Sequence, residues 1–360
     1  MITYHASSHM ARLYKIAGYE KAFTMWRQVE VVSFHQCIEY LKTRLESATT
    51  FVQHVVLTFN VVIIYLGNVS NSSGHMHLSG CYELINKCYK LLPNVSKCTT
   101  LELIGLELFT FIIDWYKHTS LMAMISSQKR FSKVELPPSI PAIYKRLKIS
   151  QNDVDFVSGN AKQLDYFITL MCQEMQLLES KGIYFSGLSC VYFAVTKHIS
   201  KTLEDAQEKG LMLLQTLSRI QNQFTYKRLE SNDFELDLTL KMCNLMSFQG
   251  LYLYLRFFFM GERDPLKIRS LLRDLLDSCY SMPYKSSCAI LRHWVLYIAA
   301  LIALIQHEAI IYEKIIEIFK LFQANGMEVH SICILEDVRQ ILEKQTYDDL
   351  LSSEYNVVIC

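Results

Sequence analysis

Apolar residues recur at helical spacing over most of the chain, and the strongest such run is 291–309, LRHWVLYIAALIALIQHEA. Every residue from 294 to 305 is apolar. A helix that is apolar on all sides is buried in a large protein or in a membrane. This run is shorter than the ~20 apolar residues that a membrane span needs. It therefore predicts the central core helix of an all-helical domain.

The same periodicity predicts helices along the rest of the chain. They cover residues 8–19, 34–45, 51–66, 75–92, 99–125, 154–178, 188–208, 211–229, 234–259, 266–279, 313–323 and 332–343. Glycine, proline and serine predict loops at 67–74, 126–141, 181–187 and 261–265. No run alternates apolar and polar residues as a strand would. We expect an all-α fold, a large irregular helical domain of packed antiparallel helices in one or two layers.

The clearest break is 126–141, SSQKRFSKVELPPSIP, which contains three of the six prolines. It separates an N-terminal helical part, 1–125, from a C-terminal helical part, 142–343, which we expect to pack on the first as one domain. The basic residues around the break indicate a solvated loop rather than a nucleic-acid patch. The tail, 344–360, mixes acidic and hydrophobic residues, and we favour a final turn packed on the domain over an activation segment.

Composition indicates a folded chain without a strong charge. The 360 residues are 51% hydrophobic and 20% charged, and the formal net charge of +1 gives no electrostatic footprint for nucleic acid or an anionic membrane. The 11 cysteines are scattered without a CxxC pair, which favours buried free thiols over a disulfide scaffold. The N-terminus lacks the order of a signal peptide. We expect a reducing compartment, the cytosol or nucleus.

The motifs that carry chemistry do not favour an enzyme. Neither GxxxxGK nor GxGxxG occurs, and SGLSCV around Ser189 lacks the second glycine of a nucleophile elbow. The acidic pair at Asp348 lacks the second acidic cluster of the helical isoprenoid synthases.

A zinc site was weighed at His75, His77, Cys81 and Cys88, because zinc binds four nitrogen or sulfur ligands. Only His77 and Cys81 share a helix face at the right spacing. We favour buried thiols with a capping histidine, and expect no metal or cofactor in this chain.

Three segments carry patterns that occur together in one family. The first, 75–85, has His77-Leu78-x-Gly80-Cys81 leading into Leu84-Ile85, after a helix at 34–45 with a Leu-x-x-x-Leu step. The second, 250–265, reads Leu253-Tyr254-Leu255-Arg256. The third is 291–309, with Trp294, Leu296, Ile298, Ala299 and Ala303.

In this order, these segments resemble the large helical regulatory domain of fungal zinc-cluster transcription factors. Two positions depart from the family pattern, since Val295 replaces a proline and Ala300 replaces a glycine. Both replaced residues are backbone devices, so their loss suggests a more continuous helix. The family's six-cysteine zinc module is absent from this chain, so we expect neither zinc nor direct DNA binding here. Either a longer protein supplies the module or the gene product has none.

The resemblance implies a nuclear regulator, with the cytoplasm as the second location, whose helical domain senses a metabolite, forms a homodimer or binds other transcription regulators. We expect a small apolar or amphipathic effector between core helices and no membrane association. The expected cavity residues are Trp294, Tyr297, Ala300, Tyr252, Tyr254 and Phe258. For each of them a plain core position is the alternative. The alternative function is a helical scaffold that binds only protein.

Overall fold

The structure is a computed structural model that describes residues 2–68, 74–126, 162–183, 188–196, 202–224, 234–282, 292–325 and 329–351. Within these ranges it contains 13 α-helices, two 3-10 helices, one π-helix and no strand. The predicted all-α class is confirmed.

The first five helices are α1 (Ile2–Ile16), α2 (Glu20–Ser47), α3 (Phe51–Asn68), α4 (Gly74–Lys90) and α5 (Thr100–Ser126). The next four are α6 (Lys162–Ser180), α7 (Ser189–Thr196), α8 (Thr202–Gln223) and α9 (Phe234–Tyr254). The last four are α10 (Pro265–Tyr280), α11 (His293–Ile305), α12 (Ala309–Ala324) and α13 (Ser331–Lys344). The 3-10 helices are Val95–Lys97 and Tyr347–Leu351, and the π-helix is Leu255–Phe259.

The predicted helices 51–66, 99–125 and 266–279 agree with α3, α5 and α10 to within two residues. The helix predicted at 188–208 contains α7 and the beginning of α8, and its residues 197–201 lie outside the described ranges. Of the predicted loop 126–141, Ser126 belongs to α5 and the remaining residues lie outside the described ranges.

The contacts between Cα atoms divide the chain into two compact units. The described residues of the N-terminal unit are 2–68, 74–120, 320–325 and 329. Those of the C-terminal unit fall within 121–126, 162–319 and 330–351.

In the N-terminal unit, α1 packs on α2, α2 on α3 and α3 on α4. Rings of α5 join the last two of these helices, since Phe109 lies 5.5 Å from Phe51 and 5.4 Å from Tyr89 between ring centroids. A second cluster lies nearer the start of the chain, formed by Tyr4, Cys37, Leu41, Leu57 and Ile64.

In the C-terminal unit, α9 packs against α8, α10 and α11, and α11 also packs against α7 and α13. Every residue of α11 from His293 to Ala303 is buried. The prediction of a core helix from its all-round apolarity is confirmed, and α11 runs unbroken past Val295 and Ala300.

The turn between α9 and α10 follows the predicted stop and restart at 261–265. Gly261 has a φ of 64°, a conformation that glycine adopts without strain. Asp264 caps α10 by accepting a hydrogen bond from the Leu266 N–H, and Pro265 takes the first helical position.

Candidate functional site

Two buried tyrosines of the C-terminal unit lie near the thiol of Cys190. Tyr254 is the last residue of α9, Tyr297 lies in α11 and Cys190 lies in α7. The three residues are 1%, 3% and 2% exposed. The helix α7, which carries Cys190, packs against α11, which carries Tyr297, and α11 packs against α9, which ends at Tyr254. Tyr254 and Tyr297 are here called the tyrosine pair.

Burial determines the protonation states of Tyr254, Tyr297 and Cys190. Loss of hydration raises the pKa of Tyr254 and of Tyr297 above the usual range, and Cys190 raises both further. Burial likewise raises the pKa of Cys190. All three groups are therefore neutral near pH 7. A neutral phenol both donates and accepts a hydrogen bond, so the pair can orient a carbonyl or hydroxyl of an otherwise apolar molecule.

The π-helix after Tyr254 packs aromatic rings against it. The Tyr254 ring lies 5.0 Å from Phe258 and 6.0 Å from Phe259 between centroids. The wide turn is closed by the Met260 N–H, which donates to the Leu255 carbonyl over 2.9 Å. In this π-helix Leu255 and three consecutive phenylalanines, Phe257 to Phe259, are all buried. Such turns are frequent at functional sites.

Polar side chains fasten the end of the π-helix. Arg263 Nη1 donates to the Phe257 carbonyl over 2.7 Å, and its guanidinium carbon lies 4.0 Å from the centroid of the Phe257 ring. Gln207 of α8 donates to the Met260 carbonyl over 3.3 Å. Gly210 of α8 allows this close approach, because a Cβ there would lie 2.8 Å from the Cβ of Phe259.

The six predicted cavity residues differ in their contacts. Tyr254 and Phe258 are in ring contact, and Tyr297 shares Cys190 with Tyr254. Tyr252 is only half-buried and pairs instead with Arg256, whose Nε lies 3.0 Å from the Tyr252 hydroxyl oxygen. Residues two positions apart on a helix do not face each other, which explains the separation of Tyr252 from Tyr254.

Trp294 and Ala300 lie three residues before and after Tyr297 on α11, and both are buried. They are core positions of that helix. The adjacent Val295 packs on Gly250 of α9, where a Cβ would lie 2.7 Å from Val295 Cγ1.

Sequence patterns missed the buried polar contacts at the start of α11. Arg292 Nη1 donates to the Cys279 carbonyl over 3.1 Å and lies 3.5 Å from its sulfur. His293 Nε2 lies 2.6 Å from the Ser331 hydroxyl. The partners of each contact are distant in sequence, so helical periodicity could not relate them. The one local sign was the pair of basic residues, Arg292 and His293, just before the apolar run.

A surface hollow of about 340 Å³ lies along α2 in the N-terminal unit. It is almost wholly apolar and is lined by Phe23, Thr24, Arg27, Gln28, Val31 and Val32. On the same helix, the side chains of Met25, Val31, Val32 and Tyr40 are 44–56% exposed.

The weighed zinc ligands include two buried thiols. Cys81 and Cys88 are both fully buried, and burial raises the pKa of Cys88 to about 11. The Cys88 sulfur lies 3.7 Å from the Thr58 hydroxyl. The His75 side chain lies outside the described residues. Across the described ranges, no three His, Cys, Asp or Glu side chains are grouped so that they could hold a metal ion.

None of the described helices is long and apolar enough to cross a membrane. Comparisons of the chain with protein-family models, with curated proteins and with solved structures found no match.

Proposed function

We propose that this chain is the regulatory domain of a fungal RNA polymerase II transcription factor of the zinc-cluster type, acting in the nucleus. The observation that carries the proposal is that segments 250–265 and 291–309, two of the three that resemble the family, supply the tyrosine pair. DNA reading is left to a zinc module outside this chain or to a partner.

In this proposal a small apolar or amphipathic effector binds beside Tyr254 and Tyr297. Their hydroxyls orient its polar group, and the surrounding rings bury its apolar part. Binding to one of two packings of α7, α9 and α11 then shifts the population towards that packing.

Thermal unfolding with a panel of metabolites, including sterols and amino acids, tests effector binding. A ligand at 100 times its Kd stabilises the bound protein by about 2.7 kcal/mol, so the melting temperature rises. The rise should be lost in a Tyr254→Phe, Tyr297→Phe double variant. It should persist in Tyr280→Phe, which changes a tyrosine that is 56% exposed. A panel without any effect, or a shift unchanged by the double variant, contradicts the proposal.

A protein-binding scaffold is the second candidate, favoured by the exposed apolar side chains of α2. Large exposed apolar patches mark protein interaction sites. The occupant would be a second copy of this chain or another regulator. Light scattering with size separation, over a range of concentrations, measures self-association of the wild type and of Val32→Asp, and affinity capture tests other regulators. Association that is lost in Val32→Asp, without any effector response, favours the scaffold. A monomer that captures no partner excludes it.

A further inference from the structure

The 3-10 helix Tyr347–Leu351 packs against α7 and α13. Leu350 is fully buried, whereas Asp348, Asp349 and Leu351 are exposed. The Leu350 side chain therefore anchors this segment to the C-terminal unit. The acidic residues beside it remain in solvent.

The hydrogen bonds at the start of the segment are local. The Thr346 N–H donates to the Ile341 carbonyl over 3.2 Å, and the Asp349 N–H donates to the Thr346 carbonyl over 3.0 Å. The left-handed Gln345, with a φ of 59°, ends α13 just before them. Short 3-10 segments held by local hydrogen bonds belong to the low-stability part of a fold.

The segment packs against α7, whose described part is 8 residues long. A helix of that length needs tertiary packing for its stability. α7 contacts the 3-10 helix and also α11, and it carries Cys190 beside the tyrosine pair. Leu350 is thus the fully buried residue of a segment that packs on α7.

We propose that Tyr347–Leu351 is a latch: with Leu350 seated, α7 is held in place and the tyrosine pair is closed, and release of Leu350 lets α7 move and opens the pair to molecules from solvent. That the admitted molecule is a regulatory effector rests on the proposed function. The opening itself does not.

Alkylation of individual thiols in the full chain measures the opening. Iodoacetamide reacts with a thiolate, so the buried Cys190 of the wild type should react slowly. Leu350→Ala should raise the Cys190 rate by about tenfold or more, because truncating a buried leucine weakens its anchoring. Leu351→Ala is the matched control, since that side chain is 43% exposed, and it should leave the rate unchanged.

Cys81 of the N-terminal unit, which is fully buried, is the internal reference. An unchanged Cys190 rate in Leu350→Ala, or a Cys81 rate that rises in parallel, overturns the latch. If Leu350→Ala does not fold, hydrogen exchange of the wild type decides. The α7 amides should then exchange together with those of 347–351 and faster than those of α11. Exchange of α7 only at the rate of α11 overturns the proposal. Both measurements are made without an effector. A failure of the latch therefore leaves the proposed function standing, and a failure of the proposed function leaves the latch standing.

Discussion

Gly250 of α9 and Val295 of α11 are in direct contact, because a Cβ added to Gly250 would lie 2.7 Å from Cγ1 and 3.2 Å from Cγ2 of Val295. Glycine within a helix weakens it by about 1 kcal/mol relative to alanine. Here it lets two buried helices approach each other closely. Val295 stands at the position where the resembled family has proline, and its side chain packs against Gly250.

Gly250→Ala should destabilise the protein by about 1–3 kcal/mol, since the added methyl overpacks the contact with Val295. In a Val295→Ala background the same substitution should be neutral or stabilising, because the obstructing methyls are gone. Urea unfolding of the four proteins of this double-mutant cycle measures the coupling. Gly80→Ala in α4 is the control, since no atom lies within 4 Å of its added Cβ. Equal effects of Gly250→Ala in both backgrounds would refute the contact.

Alkaline pH should unfold the protein partly through Tyr297. Its pKa is raised by burial and by Cys190, so its stabilising contribution is complete below about pH 10, where the unfolded tyrosine is neutral. The contribution is lost as pH rises towards the folded pKa, at about 1.4 kcal/mol per pH unit. Tyr297→Phe should flatten stability against pH above about 10. Tyr19→Phe, at an exposed position, should not, and identical slopes for both variants would contradict the assignment.

Mild acid should weaken the N-terminal unit through His5. Burial lowers the pKa of His5, although its Nε2 lies 2.7 Å from the Ile63 carbonyl. The stabilising contribution is complete above the usual value of 6.5 and is lost as pH falls through the lowered pKa. His5→Gln should reduce the loss of stability on acidification, measured by urea unfolding at a series of pH values. His35→Gln, at an exposed histidine of α2, serves as the control, and an equal reduction there would exclude His5 as the cause.

The ion pair between Arg269 and Glu308 should matter more than those on the surface. Arg269 Nε lies 2.8 and 2.9 Å from the two carboxylate oxygens, and the Glu308 side chain is 10% exposed. Arg269→Met leaves that carboxylate buried without its partner, at a cost of about 1–3 kcal/mol. Arg339→Met removes an exposed pair with Glu336 and should cost about 0–1 kcal/mol. Thermal unfolding compares the stability of the two variants. Equally small losses of stability would show that solvent hydrates the Glu308 carboxylate when Arg269 is removed.

The sequence predicted what depends on local periodicity. α11 is apolar on every side, which admits only a buried helix, and the start of α10 follows the stop and restart signals at 261–265.

The candidate site was predicted in part. Tyr254 and Tyr297 lie on runs that looked buried, so their burial followed from sequence. Their common neighbour Cys190 lies on a third helix, and no periodicity relates residues that far apart in the chain. Tyr252 was grouped with Tyr254 by composition, yet two positions on a helix separate their faces.

In the π-helix, the direction of the rings at 257–259 depends on the number of residues in the turn as well as on their identity. A π turn holds one more residue than an α turn, so deleting one residue between Tyr254 and Gly261 would let this turn return to α geometry and keep the flanking side chains in register. A relative with an ordinary helix here would therefore align with a one-residue gap and still place the same rings in its core. The π turn can therefore accommodate the loss of one residue. In α11 the same change would rotate the buried side chains that follow it, because that helix has no π turn.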